Sequence, residues 1–151
     1  MSASVDANIL IYAANVRDPM HAPARSLVER LSTGPDLFYL FWPTIMAYLR
    51  ITTNPRALQD PLPASRAMEN IDGLLRLPHV MTPSEGEGFW RTYGASGGQD
   101  ARGKAVPDTH LAALMRANGV RILYTRDRDF RRFDFLEVRD PFSDAIPEGS
   151  R

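Results

Sequence analysis

Short apolar, β-branched or aromatic runs alternate along this chain with stretches whose apolar residues recur at helical spacing, and that alternation restricts the fold more than any single motif. Ser4 to Asp6 reads as a short strand running into "ANILIYAAN". "HAPARSLVERLSTG" sets Ala24, Leu27, Val28 and Leu31 on one helical stripe and stops at Gly34. "DLFYLFW", bounded by Gly34-Pro35 and Pro43, suits a buried strand. "PTIMAYLRITTNP" opens with proline in its first turn, lines up Ile45, Tyr48, Leu49 and Thr52, and stops before Pro55. "ASRAMENIDGLLRL" predicts an amphipathic helix through Met68, Ile71 and Leu75, followed by a short strand in "HVMTP". "SEGEGFWRTYGASGG" reads as a helix interrupted by glycine. "PDTHLAALMRANG" is a helix with Leu111, Leu114 and Met115 inward and Gly119 as its stop, and "VRILYT" and "FLEVRD" supply two more strands.

A β-α-β-α order implies a mainly parallel sheet with helices on both faces, because parallel neighbours need crossover connections. At 151 residues and 44% hydrophobic, the chain has material for a single core, and the expected organisation is one domain over 1–142 with a flexible tail over 143–151, "SDAIPEGSR". No apolar run approaches the length of a membrane span, and the acidic start "MSASVDANILIYAANVRD" lacks the basic region of a signal peptide, so the expected location is the cytoplasm. With no cysteine, disulfides, thiolate metal sites and cysteine nucleophiles are excluded. His21, His79 and His110 are too scattered for a zinc pattern and read as surface or cap residues. A formal charge of +0 confines any nucleic-acid binding to a local patch.

In such a sheet, sites lie at the carboxyl ends of strands. Asp6 ends the first strand, Asp127 follows "ILYT", and Asp108 opens a helix near one edge, so acids about a hundred residues apart converge on one rim. Singly, each has a plain reading: Asp108 caps its helix by accepting backbone amides, Asp127 and Asp129 are turn residues, and Asp6 makes a local turn bond. Jointly they need a cation, since gathered carboxylates repel one another. Mg²⁺ or Mn²⁺ answers an all-oxygen donor set, and can activate water against a phosphodiester without a side-chain nucleophile. Arg126, Arg128, Arg131 and Arg132, with Arg102 and Lys104 ahead of Asp108, form a basic patch suited to a phosphate backbone or to a merely solvated loop.

"SVDANILIYA", "WPTIMAYLRITTNPR", "VPDTHLAAL" and "YTRDRDFRRF" together resemble a PIN-domain ribonuclease of the VapC toxin type, over Val5 to about Pro141. Each motif alone is weak, and the four in order are specific. The resemblance implies a three-layer α/β/α fold, Mg²⁺- or Mn²⁺-dependent RNA cleavage, a homodimer, and inhibition by a small VapB-like antitoxin. It also implies that Asp6, Asp108 and Asp127 are catalytic metal ligands, with Asp129 the weaker fourth candidate. Thr125 matches the hydroxyl of the "TxDxDF" motif, and Thr125, Arg126, Arg128, Arg50 and Lys104 are the expected substrate-binding residues.

One departure stands out. The family commonly carries glutamate three residues before the arginine of the central helix, and this chain has Ala47 ahead of Arg50. Alanine binds no metal, which favours one ion over two and leaves open a catalytically weak module that only binds RNA or antitoxin. Glu85 or Glu87 is a weak candidate to compensate. A phosphohydrolase with an aspartate nucleophile is disfavoured, because Asp6 is followed by Ala7 and Asn8 rather than by the D-x-D pattern.

Overall fold

The computed structural model describes residues 1–143; the remainder of the expected 143–151 tail lies outside the described residues. Five strands form one wholly parallel sheet in the order β3-β2-β1-β4-β5. They are β1 (Ala3–Val5), β2 (Phe38–Tyr39), β3 (Val80–Met81), β4 (Ile122–Tyr124) and β5 (Glu137–Arg139). Between them run α1 (Ala7–Ala14), α2 (His21–Thr33), α3 (Trp42–Thr52), α4 (Ala64–Leu75), α5 (Phe89–Tyr93) and α6 (Ala105–Ala117). No helix among the described residues is long and apolar enough to cross a membrane.

Central β1 is buried along its whole length, as a strand covered on both faces should be. It pairs Ala3 with Phe38 on one side and with Ile122 on the other. Consecutive residues then divide between two cores, since side chains alternate across a strand. Phe38 and Leu40 join Val5, Ile9, Leu10, Leu27 and Ile45 against α1–α4. Phe41 and Leu123 join Leu111, Leu114, Met115, Phe130 and Phe133 beneath α6. Each large apolar side chain buried there contributes about 1.5–3 kcal/mol relative to exposure.

Several sequence expectations shift in detail. The aromatic run "DLFYLFW" keeps only Phe38–Tyr39 as strand, because α3 already begins at Trp42 with proline in its first turn. Met68 is 57% exposed and Ala67 takes its inward place, while Ile71 is buried and Leu75 packs against the core as expected. The interrupted helix is real: α5 gives way at Gly94–Gly98 to a wide turn kinked at Ser96 and Gly97, where Gly97 takes φ +98°. Gly34 and Gly119 stop α2 and α6 at φ +75° and +68°, in a region where side chains with a Cβ are strained. Most relevant to the site, α6 starts at Ala105, so Asp108 lies within its first turn and makes no capping bond.

Strand order reverses at β1: the chain leaves it toward β2 and β3, then returns to β4 on the opposite side. The carboxyl ends of β1 and β4 flank this reversal, the place where open parallel sheets form the crevice that holds their ligands.

Candidate active site

Asp6 follows the last residue of β1, and its backbone N–H donates to the Tyr124 carbonyl at 3.0 Å, locking the crevice edge between the two central strands. Its extended backbone makes it the N-cap of α1, with Oδ1 accepting the Ala7 N–H at 2.7 Å. The other carboxylate oxygen, Oδ2, accepts the Thr125 hydroxyl at 3.0 Å. Thr125, buried just past β4, also accepts the Asp127 N–H at 3.0 Å and the Asn8 side-chain amide at 3.4 Å. One hydroxyl thus ties the first acid to the backbone of the third. Asp127 caps the 3-10 turn Arg128–Arg132 through the Asp129 N–H, 2.9 Å from its Oδ1.

Asp108 comes in from the first turn of α6. One oxygen each from Asp108, Asp127 and Asp129 lies within 4.8 Å of the others. Asp6 is the neighbour of this trio rather than a member of it, with both of its oxygens already accepting hydrogen bonds. The Oδ2 atom of Asp108 is buried and has no hydrogen-bond partner; the Arg132 guanidinium, 3.6 Å away, falls beyond hydrogen-bond reach. The Lys104 ammonium stands 3.4 Å from Asp127 Oδ2 and 3.8 Å from Asp129 Oδ2.

The electrostatics follow from that crowding. Burial, followed by the charges of Asp127 and Asp6, pushes the Asp108 carboxyl from 3.8 to about 6. Burial also raises Asp6, while the Thr125 hydroxyl and the Ala7 amide oppose the rise. Lys104 is held above its ordinary value, chiefly by Asp127. An orphaned carboxylate oxygen, mutually repelling acids and an ammonium drawn among them all describe a place for positive charge. The donors are exclusively oxygen, so the set fits a hard divalent cation rather than a thiophilic or imidazole-seeking one.

The other expected site residues distribute unevenly. Arg128 is exposed on the 3-10 turn next to Asp127. The Arg126 guanidinium lies over the Phe142 ring, 5.9 Å from its centroid, and Arg50 is exposed in the last turn of α3. Glu85 pairs with His110 at 2.6 Å, which lowers its carboxyl, and is not in the acidic group. His21 and His79 bond the carbonyls of Tyr12 and Leu31. Arg132 reaches the site without a local spacing rule to reveal it, since its tie to Asp108 is made through the fold. Lys104 carried a readable signal: it precedes Asp108 by four residues at the start of a helix, hence on the same face.

Ala47 has a defined setting. The hydroxyl of Thr44 donates to the Val5 carbonyl at 3.4 Å, so this face of α3 abuts the end of β1, immediately before Asp6. Ala47 follows Thr44 by three residues and shares that face.

The model of the PIN domain matches residues 3–136. The chain is 43% identical over 144 residues to ribonuclease VapC48 of Mycobacterium tuberculosis, covering 95% of this chain and 99% of that protein. It is 33% identical over 138 residues to ribonuclease VapC43 of the same organism, covering 91% and 93%. Among solved structures, M. tuberculosis VapC20, described as a toxin cleaving the sarcin-ricin loop, superposes with a TM-score of 0.65 at 20% identity, over 91% of this chain and 99% of that one. VapBC2 of Rickettsia felis, bound to a promoter DNA fragment, gives a TM-score of 0.65 at 15% identity over 92% and 98%. At those identities the structures speak for the fold alone.

Proposed function

This chain belongs to the PIN-domain family, among the VapC ribonucleases, and from that premise we propose that it is the toxin of a toxin–antitoxin pair, an endoribonuclease that hydrolyses RNA phosphodiester bonds with Mg²⁺ or Mn²⁺. The observation that carries the metal is the buried Oδ2 of Asp108, which accepts no hydrogen bond and has only the Arg132 guanidinium at 3.6 Å, beside Asp127 and Asp129 at the switch point of the sheet.

When bound there, the ion supplies activation of water and charge to offset the phosphodiester oxygens. The protein's own residues do the rest. Asp108, Asp127 and Asp129 would hold the ion, and Asp6 would complete the negative site from the end of β1. Thr125 keeps Asp6 turned to the crevice by donating its hydroxyl to Oδ2, and fixes the Asp127 backbone through the same oxygen. Arg132, Lys104 and Arg128 border the acids and would take the non-bridging phosphate oxygens, guanidinium forks matching them in geometry. The water oxygen attacks phosphorus and the bond to the leaving ribose oxygen breaks.

The proposed partners are RNA, a VapB-like antitoxin and a second copy of the chain in a homodimer. An antitoxin reaching this site would place a basic side chain among Asp6, Asp108 and Asp127, where the ammonium of Lys104 already marks the favoured sign of charge.

The test is cleavage of total bacterial RNA by the purified protein in Mg²⁺ or Mn²⁺, silenced by EDTA, together with growth arrest on expression that co-expression of the antitoxin relieves. Ala47, in place of the family's usual glutamate, favours one alternative: a module that retains RNA on a filter without cutting it whatever the metal. Harmless high-level expression of the folded protein counts against the toxin.

A further inference from the structure

Trp90 is 83% exposed, an unusual position for the largest apolar side chain. It is not loose: its ring stacks on Tyr93 with centroids 5.9 Å apart and planes inclined by 12°. The stack depends on a specific glycine. A Cβ on Gly98 would fall 2.4 Å from two ring carbons of Tyr93 and 2.6 Å from the Tyr93 carbonyl oxygen. The chain folds back at Gly97, φ +98°, so that the bare backbone of Gly98 lies directly against the Tyr93 ring. The result is a backbone-supported, parallel aromatic pair with one ring almost wholly in solvent. Around it, Arg91, Gln99 and the glycine backbone edge a shallow hollow of about 450 Å³.

This platform is fastened to the element that carries Asp108. Phe89 packs edge-on against His110 of α6, and the Arg116 guanidinium of α6 donates to the Ala95 carbonyl at 3.1 Å. Where the platform ends, a second cleft of about 300 Å³ begins, lined by Ser96, Gly97, Asp100, Thr109 and Arg132 among others. Arg132 is also the guanidinium 3.6 Å from Asp108. The two hollows draw alternately on the same Gly94–Asp100 segment, and the second is lined by the arginine that pairs with Asp108.

The geometry points to a nucleobase subsite: Trp90 on Tyr93 stacks an unpaired base of the RNA, remote from the bond that is cut, while Arg91 and Gln99 border its polar edge. This rests on the ribonuclease reading above and adds where the substrate is gripped and in what form. Stacking needs a base free of its partner, so the subsite selects single-stranded or looped RNA over duplex. A flat ring pair with hydrogen-bonding groups at its rim, fastened to the helix that carries Asp108, suits a base better than an apolar protein partner, which would be expected to bury Trp90 in a pocket of its own.

The test uses Asp108→Asn protein, so that substrate is bound and not consumed, and a fluorescein-labelled, randomised twelve-nucleotide single-stranded RNA followed by anisotropy. Adding Trp90→Ala should weaken binding about five-fold or more, the lower end of what losing one base–aromatic stack produces. Trp90→Phe should recover most of that loss, and a duplex of the same length should be indifferent to either change. Total-RNA cleavage by wild-type protein is run in parallel. Equal affinity with and without Trp90, in a protein that cleaves RNA, overturns the subsite and leaves the ribonuclease intact. A wild type that neither binds nor cleaves RNA overturns both. If Trp90→Ala instead abolishes self-association or antitoxin binding while RNA affinity is unchanged, the aromatic pair is a protein interface and the subsite is refuted.

Discussion

Replacing Asp108 with asparagine should stabilise the metal-free protein at neutral pH. In the folded state the carboxyl titrates at about 6 against 3.8 for the free side chain, so between those values the folded protein holds a proton that the unfolded chain has released. Stability from this group is therefore fully present below about pH 4 and is lost as pH rises through about 6. The full displacement corresponds to about 3 kcal/mol at the conversion of about 1.4 kcal/mol per tenfold change in acidity. Solvent at the mouth of the crevice screens the repulsion from Asp127 and Asp6, which leaves about 1–1.5 kcal/mol as the working figure. Asparagine keeps the shape and removes the charge. In EDTA at pH 7.5, the melting temperature of Asp108→Asn should exceed that of wild type by about 2–6 °C for a chain of this size. The gap should close as pH falls toward 4, where wild-type Asp108 is protonated in the folded and increasingly in the unfolded state; other titrating groups, Glu85 included, are common to both proteins and cancel in the difference. With saturating Mn²⁺ the order should reverse or level, since an ion binding only the folded state stabilises wild type through its intact ligand set. Differential scanning fluorimetry across pH 4 to 8, with and without Mn²⁺, measures all of this. A variant that melts below wild type in EDTA, or a gap independent of pH, would refute the account of Asp108 as a buried carboxylate strained by its neighbours.

Thr125→Val should cost about 1–3 kcal/mol in chemical denaturation, because the Asp127 N–H and Asp6 Oδ2 lose a buried partner, and should cut cleavage by more than ten-fold; unchanged cleavage would show that the Asp6 orientation is immaterial. Ala47→Glu should lower the metal-free melting temperature and enlarge the Mn²⁺-induced rise, because the face shared with Thr44 abuts the end of β1; identical Mn²⁺ responses would place position 47 away from the crevice. Lys104→Ala should shift the Mn²⁺ titration midpoint to lower concentration by removing a competing ammonium, while weakening RNA binding at low salt; a shift to higher Mn²⁺ would contradict the role of Lys104 as a competitor for the site.

Much of this protein was legible from its sequence, for reasons that vary by element. Parallel strands buried on both faces leave compact apolar runs, and Gly34 and Gly119 mark their helix ends because positive φ excludes most other residues. That made the order of elements readable, and with it the switch point where Asp6, Asp108 and Asp127 meet. The boundary of β2 was obscured because a continuous aromatic run serves strand, cap and helix in turn, each packing on a different core. Met68 looked like core by its chemistry, but the stripe of α4 is set by Ala67 and Ile71, and a helix with small inward residues hides its phase. Within the site, the convergence of acids was visible and their spacing from one another was not. Asp129 lies in the tight trio and Asp6 stands beside it, an outcome of the 3-10 turn after β4, while the Thr125 hydroxyl that the "TxDxDF" spacing marks is the bridge between Asp6 and the Asp127 backbone. The aromatic platform at Trp90 was in plain view as "FWRTYGASGG", yet only the backbone fold at Gly97 and Gly98 shows the rings stacked and exposed.

The acids at the carboxyl ends of β1 and β4 should act together as one hard-cation site. Anomalous diffraction at the manganese edge, from crystals grown in millimolar Mn²⁺, tests it directly. The expected result is a peak about 2 Å from carboxylate oxygens of both Asp108 and Asp127, with Oδ2 of Asp108 among the ligands and the Lys104 ammonium displaced. A peak elsewhere on the molecule, or an empty crevice at a Mn²⁺ concentration that supports cleavage, would contradict it.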